Sequence, residues 1–476
     1  MTMTDRSVPS RSAERWGWLA AFLVLVLPMP VAGETTATDE VTTHPVTFTK
    51  DIAPILQRSC QTCHRPGSVA PMSLMDYQTV RPWARSIKKR TALRDKRGAM
   101  PPWFIERNIG IQQFKDDPSL SEVEIAKIAS WVDNGAPEGD PADLPPPREF
   151  VDGGEWAIGE PDLIVISDPI EVPALGPDWW GNAGTIPLGL TEDRYVAAIE
   201  YRERSTSESA PSRDTVGGLF VIHHAIPFMI DANGGMLGTW PVHEVGRNAD
   251  VFDADAGRLI KAGSMLVLPS VHVHSNGADT TARLEIAFKF HPRGYEPTRR
   301  TQFMLFGNGP DIDIRAMDAN QRLDAFYTLP ENTRITVFEP HMHAPGVRMC
   351  LEAIWGVTTR TLNCAGYDHN WVRVYNYEDN AAPLLPKGTI LHLIGYFDNS
   401  PSNPNVADPR NWSGAGHRSV DNMFINLMQG TFMEDDEFEA EVERRREYLR
   451  LTGQPGGDLG CPLCGQNGAV PASGAE

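Results

Sequence analysis

The feature that constrains this chain most is the short sequence Cys60-Gln-Thr-Cys63-His64. Two thiols at this spacing reach the two vinyl groups of a haem, and the imidazole of the next residue then lies under the iron as an axial ligand. A redox-active cysteine pair and a zinc site are the alternatives. The motif predicts one covalently bound haem c, attached by Cys60 and Cys63 and ligated by His64.

Helical patterns flank this motif on both sides. Apolar residues recur at helical spacing over residues 52–56, upstream of it. Downstream, Ser121 and Glu124 have the spacing of a capping box and precede an amphipathic run. A helix entering a haem site and a second helix packed across it resemble a small class I cytochrome c. The resemblance implies an all-α cytochrome c domain at residues 44–136.

A methionine from the loop between these helices is the expected sixth ligand of the haem iron. Met100 is followed by two prolines, which hold a loop rigid, and a thioether favours reduced iron. Met72 and Met75 are the alternatives. Residues 137–150 are rich in proline and predict a stiff linker after this domain.

The N-terminus has the layout of a secretory signal peptide at residues 1–33. Three arginines precede the apolar run Trp16–Leu27, which is followed by a helix breaker and small residues. The run is short for a membrane span, although an uncleaved anchor is the alternative. We therefore expect a periplasmic or otherwise exported protein with no stable membrane span after cleavage.

After the linker the sequence pattern changes to strands. Apolar residues alternate over residues 284–290, and similar short runs are separated by turn residues. Gly 41 and Pro 39 among 476 residues also favour turn-rich β structure over a helical bundle. The expected fold class is multidomain: the all-α domain, two jelly-roll-like all-β sandwiches at residues 151–300 and 301–433, and a short tail at residues 434–476, with an acidic helix before a Gly-rich end.

Six of the 13 histidines occur as three close pairs in the β region. The pairs are His223 with His224, His272 with His274, and His341 with His343. Residues two apart on a strand point to one face and can share a metal ion. The adjacent pair needs a local distortion of its strand to do the same. Nitrogen-rich sites without thiolate indicate copper or zinc.

The four segments VIHHAIPF, HVHSNG, PHMHAPG and DNMFINL follow one another in this order. Over residues 151–433 the chain therefore resembles the copper type II ascorbate-dependent monooxygenases, which include the peptidylglycine and dopamine β-hydroxylating enzymes and bacterial relatives. The resemblance implies two copper ions. The implied ligands are His223, His224 and His272 for the electron-transferring copper, and His341, His343 and Met423 for the oxygen-activating copper.

The sequence departs from this family in its third histidine and its cysteines. His274 stands where other residues are usual, so the ligand from this pair stays open between His272 and His274. The disulfides of the animal enzymes are absent, but Cys350 and Cys364 are spaced as opposed positions on a hairpin and predict a disulfide. Cys461 and Cys464 predict a local disulfide, with a small metal or redox site as the alternative.

The resemblance implies a monooxygenase that hydroxylates a C–H bond of a small-molecule or peptide-like substrate with O2. Electrons would come from the tethered haem, an external reductant or a periplasmic electron donor. The alternatives are a periplasmic electron-transfer or copper-binding protein without oxygenase turnover, and a mononuclear metal hydrolase. A net charge of -19 disfavours nucleic acid as a partner.

Overall fold

The computed structural model describes residues 45–66, 68, 70, 72–150, 156–206, 220–245, 249–418, 420–453 and 459–465. The predicted signal peptide and the end of the predicted tail lie outside these residues. No helix in the described ranges is long and apolar enough to cross a membrane. The described residues all belong to one compact unit, which begins at Pro45.

Helices concentrate before residue 145 and at the C-terminal end. The α-helices are α1 Ala53–Ser59, α2 Tyr77–Val80, α3 Ala84–Thr91, α4 Glu122–Asp133 and α5 Asp435–Thr452, with shorter π and 3-10 turns at Phe48–Ile52, Arg81–Trp83 and Pro141–Asp143. The capping box of Ser121 and Glu124 starts α4. Helix α5 ends at Gly453, whose φ of 61° suits glycine.

Short strands fill most of the remaining chain. Strands β1 to β13 are Ile105–Gly110, Leu163–Ile166, Ile170–Val172, Trp179–Gly181, Thr185–Pro187, Arg194–Ser205, Ile222–Ile230, Met236–Thr239, His243–Glu244, Asp250–Val251, Arg258–Ile260, Met265–Val273 and Thr280–Phe290. Strands β14 to β25 are Arg300–Gly307, Asp313–Ile314, Gln321–Thr328, Asn332–Phe338, Pro340–Met342, Gly346–Trp355, Thr358–Gly366, Tyr375–Asn376, Leu384–Leu385, Ile390–Phe397, Ser413–Gly414 and Phe424–Met433.

The strands pair antiparallel into four large sheets that enclose two apolar cores. The orders β10-β6-β13-β2 and β4-β12-β7-β8 form two sheets around the first β core, which includes Val196, Leu266 and Phe288. The orders β1-β20-β19-β23-β16 and β14-β25-β17-β21 form two sheets around the second β core, which includes Leu351 and Phe424. Strands β15 and β24 form a small separate sheet.

The predicted fold class is wrong, because residues 44–136 do not form an all-α domain. The structure is about 37% strand and 15% helix. Strand β1 lies inside this segment and pairs with β20, with Ile105 opposite Ala365. The side chains of Trp103 and Phe114 lie in the second β core. Helical periodicity detects the local helices, but it does not reveal a strand whose partner lies about 250 residues away in the chain.

Both predicted disulfides are confirmed. Cys350 and Cys364 are directly opposed on the hairpin of β19 and β20 and are bonded to each other. Cys461 is bonded to Cys464. Two disulfides are consistent with an oxidising compartment, and therefore with an exported protein.

The contribution of residues 101–114 to the second β core can be measured with Phe114→Ala. The Phe114 ring is buried against the rings of Trp103, Tyr375 and Tyr377. Its removal should lower the free energy of unfolding by about 3–5 kcal/mol, measured by chemical denaturation. The control is Phe326→Ala, whose side chain is 63% exposed and should cost at most about 1 kcal/mol. Equal effects of the two substitutions would contradict the burial of Phe114 in the second β core.

Candidate metal centre

A β-bulge brings His223 and His224 to one side of strand β7. His272 on β12 pairs with His224, but the next residue, Val273, pairs with Ile222, so His223 is an extra residue in the ladder. A bulge re-aims a side chain that would otherwise point to the opposite face. As a result His223, His224 and His272 each offer a ligand atom within 4.8 Å of the others. This first cluster can hold a metal ion.

Buried polar groups fix the position of the first cluster. Both carboxylate oxygens of Glu203 accept hydrogen bonds of 2.8 Å from the backbone N–H groups of Val221 and Ile222, immediately before His223. The Trp180 ring stacks on His272, with centroids 4.4 Å apart and planes 7° apart. Asp178 Oδ2 lies 3.1 Å from His272 Nε2. Since Asp178 occupies Nε2, metal binding by His272 would use Nδ1.

His341 and His343 form the second cluster, with their ring centroids 5.6 Å apart. In the pairing of β18 with β25, His341 is opposite Ile425 and Met342 is opposite Phe424. Continuing this register places Met423 opposite His343. Directly opposed residues of antiparallel strands point to the same face, and so do residues two apart. The structure therefore brings the two imidazoles together, while Met423 as a third ligand stays a prediction.

Hydrogen bonds select the nitrogen that each histidine of the second cluster presents. His341 Nδ1 donates to Glu244 Oε1 at 2.7 Å, and His343 Nδ1 donates to the Asp421 carbonyl at 3.1 Å. Both contacts leave Nε2 as the nitrogen for a metal. Within the described part of the chain, the buried Nε2 atom of His343 has no hydrogen-bond partner.

The two clusters lie next to each other. The rings of His224 and His341 are 6.4 Å apart between centroids. Glu244 pairs with His224 in the ladder of β7 and β9, and its carboxylate accepts from His341. Glu244 thus neighbours the first cluster through its backbone and contacts the second through its carboxylate.

His369 and His274 complete this group of histidines. His369 Nε2 lies 3.4 Å from His223 Nε2, and its ring centroid is 5.7 Å from that of His343. The His274 ring stacks at 5.1 Å on His223, but it lies outside the three-histidine group. His369 has no histidine two residues away, so the sequence around it does not indicate that it lies beside the clusters. The fold alone brings it here.

Burial keeps most of these imidazoles neutral. It lowers the pKa of His223, His224 and His343 well below the usual value, and neighbouring histidines lower it further. For the same reasons the pKa of His369 falls to about 4. His341 differs: burial lowers its pKa, but the charge and hydrogen bond of Glu244 outweigh burial and raise it. Neutral imidazole is the form that binds metal.

The residues of the predicted haem-attachment motif lie at the end of α1. Cys60 and Cys63 are not in disulfides, and burial raises the pKa of Cys60 to about 12. His64 is buried, and its Nδ1 donates to the Met72 carbonyl at 3.2 Å. That contact leaves Nε2 for an axial bond to iron. It also places the Met72 backbone on the opposite side of the ring from Nε2, which argues against Met72 as the sixth ligand.

Met100, the predicted sixth ligand, borders a pocket. The pocket is also lined by Trp103, Leu120 and Ile125. Leu120 and Ile125 belong to the apolar cluster against which Cys60 packs. Cys60, Cys63 and His64 are not among the residues that line this pocket, so the pocket does not bring Met100 together with the motif.

No protein-family model matches this chain, and no curated protein matches it. The described residues contain one group of three histidines arranged to hold a metal ion, and two disulfides.

Substitution of the two histidines on β12 tests which one binds metal. His272→Ala should lower the bound metal by one equivalent, because it removes a member of the three-histidine group. His274→Ala is the matched control, two residues along the chain, and should leave the metal content unchanged. The measurement is elemental analysis of the purified variants after dialysis against excess copper. The reverse result would assign the ligand to His274.

Proposed function

We propose that this chain is a periplasmic copper- and haem-dependent monooxygenase that uses O2 to hydroxylate a C–H bond of a small-molecule or peptide-like organic substrate. The observation that carries the proposal is the pair of adjacent buried histidine clusters. The first cluster offers three imidazoles and the second offers two, and the thioether of Met423 is the proposed third donor of the second cluster. A thioether favours copper(I), whereas imidazole suits several metals in both clusters.

The proposed reaction needs two metal ions at fixed positions, and the two clusters provide a place for each. Copper ions bound there would supply one-electron transfer and the reduction of O2. The protein orients the ligands: Asp178 holds His272, Glu244 holds His341, and the Asp421 carbonyl holds His343. Such outer contacts set the tautomer of each ligand and the direction of its lone pair. Burial of the histidines keeps bulk water away from the site.

The motif at residues 60–64 fits a covalently attached haem. The thiols of Cys60 and Cys63 would form its thioether bonds, His64 Nε2 would ligate the iron, and Met100 is the proposed sixth ligand. A bound haem would supply a one-electron donor. The Met72 carbonyl holds the His64 ring in the orientation that this role requires.

Residues 367–373 interact with both metal clusters and, through the charge of Arg373, with Cys63. Tyr367 donates from its hydroxyl to the Met342 carbonyl, between His341 and His343. His369 lies between the clusters. Burial raises the pKa of the Cys63 thiol, and the charge of Arg373, four residues after His369, offsets part of that rise. Under the proposed function, this segment is the candidate route for electron transfer from haem to copper within the molecule.

Elemental analysis and electron paramagnetic resonance of the purified protein test the proposal. We expect one iron and two coppers per chain, with copper spectra typical of nitrogen ligation. The intense blue absorption of a thiolate site would contradict it. The other four cysteines are in disulfides, which argues against such a site. Electron transfer without O2 consumption, for any substrate offered, would favour the alternative of an electron-transfer protein.

Cys63→Ser should abolish normal covalent haem attachment, because one of the two thioether bonds is then lost. The measurement is haem-linked peroxidase staining on a denaturing gel together with the pyridine haemochrome spectrum. The control is Ser68→Ala, a nearby substitution that should leave both signals unchanged. Full retention of the normal spectrum in Cys63→Ser would contradict a c-type haem.

Met423→Ile removes the sulfur and keeps a similar apolar volume, so the cost in folding free energy should stay below about 1.5 kcal/mol. Copper content should remain near normal, because His341 and His343 remain. O2-dependent turnover with a chemical reductant should fall at least about a hundredfold, or roughly 2.7 kcal/mol in the barrier.

The matched control for this substitution is Met428→Ile on the same strand. Met428 is fully buried in the second β core and pairs with Met304. It should behave as an ordinary core substitution with turnover preserved. Loss of turnover in Met428→Ile and not in Met423→Ile would place the sulfur ligand elsewhere.

A further inference from the structure

Three of the proposed ligands share one arrangement of their ring nitrogens. In His272, His341 and His343 one nitrogen contacts an oxygen atom of the protein, and the other is left for a metal. An imidazole needs this second contact, because a neutral ring that binds metal through one nitrogen carries a proton on the other. The partner fixes both the tautomer and the orientation of the ring.

His223 has the same arrangement, but its partner is a histidine. Its Nδ1 is buried and has no hydrogen-bond partner among the residues that the structure describes. Its Nε2 lies 3.4 Å from His369 Nε2, and both side chains are buried. We propose that His369 is the positioning residue of the first cluster, which accepts the Nε2–H of His223 and directs His223 Nδ1 to the metal. The inference rests on the proposed function, in that the first cluster binds copper.

The chemistry of this pair requires one tautomer of each ring. His223 carries its proton on Nε2 and donates to the lone pair on His369 Nε2. His369 therefore carries its own proton on Nδ1 and acts as an acceptor.

The segment around His369 is held in place on both sides. The Asp368 carboxylate accepts from the Asn370 backbone N–H at 3.1 Å, and the Asn370 side chain donates to Asn405 Oδ1 at 2.9 Å. The Tyr367 hydroxyl donates to the strand that carries His341. A residue held this firmly can restrict the rotation of the His223 ring.

His369→Ala and His369→Gln in the full-length holoprotein test the proposal. His369→Ala should weaken copper binding at the first cluster by about 10- to 100-fold, measured by competition with a copper chelator. It should also change the electron paramagnetic resonance parameters of that copper. In His369→Gln the amide oxygen can accept from His223, so affinity and spectrum should return most of the way to those of the unsubstituted protein.

The matched control is His392→Ala. His392 is also buried, and both of its ring nitrogens have partners, Glu352 and Asp324, outside the two clusters. It should leave both copper affinities unchanged, which separates positioning from a general loss of stability.

Two results would overturn this inference and leave the proposed function intact. One is a protein that binds two coppers and keeps its affinities and spectra in His369→Ala. The other is the loss of one coordinated imidazole in His369→Gln, counted by pulsed electron paramagnetic resonance, since His369 would then itself be a ligand. Failure of the unsubstituted protein to bind copper at the first cluster would instead overturn the proposed function, and this inference with it.

Discussion

The hydrogen bond between Glu244 and His341 is the interaction on which the candidate site depends most. Glu244 pairs with His224 in the ladder beside the first β core, whereas His341 lies on a strand of the second β core's sheets. A buried carboxylate is unfavourable unless charged or polar groups compensate it, and the imidazole at 2.7 Å does so. The same contact therefore stabilises the junction of the two cores and fixes the spacing of the two clusters.

Other polar contacts join the two cores away from the histidines. Arg334 forms an ion pair of 2.7 Å with Asp253, and both side chains are largely buried. Gln429 donates to Asp250 at 2.9 Å. Such contacts have stricter distance and angle requirements than apolar packing, so they fix the relative position of the sheets more closely. A site divided between two sheets needs this precision.

The parts of the structure that could be predicted from the sequence are those that local spacing determines. The pair His341 and His343 shares a face because side chains alternate along a strand, and Cys350 meets Cys364 because a hairpin opposes them. His223 needed a distortion that the sequence does not display, and the structure supplies it as a bulge. Spacing identifies which residues can meet, while register determines whether they do.

The parts that could not be predicted depend on contacts between distant segments. Strand β1 has no strong alternation of its own and is stabilised by β20 and the second β core. His369 has no partner pattern, and its position follows from the segment that starts at Tyr367. Both features change how the proposed haem and copper sites are expected to lie relative to each other. A separate domain on a linker would reach the copper site by diffusion, whereas a segment paired into a sheet keeps a fixed distance. Under the proposed function, electron transfer would then depend on the residues between the two sites and not on the length of a linker.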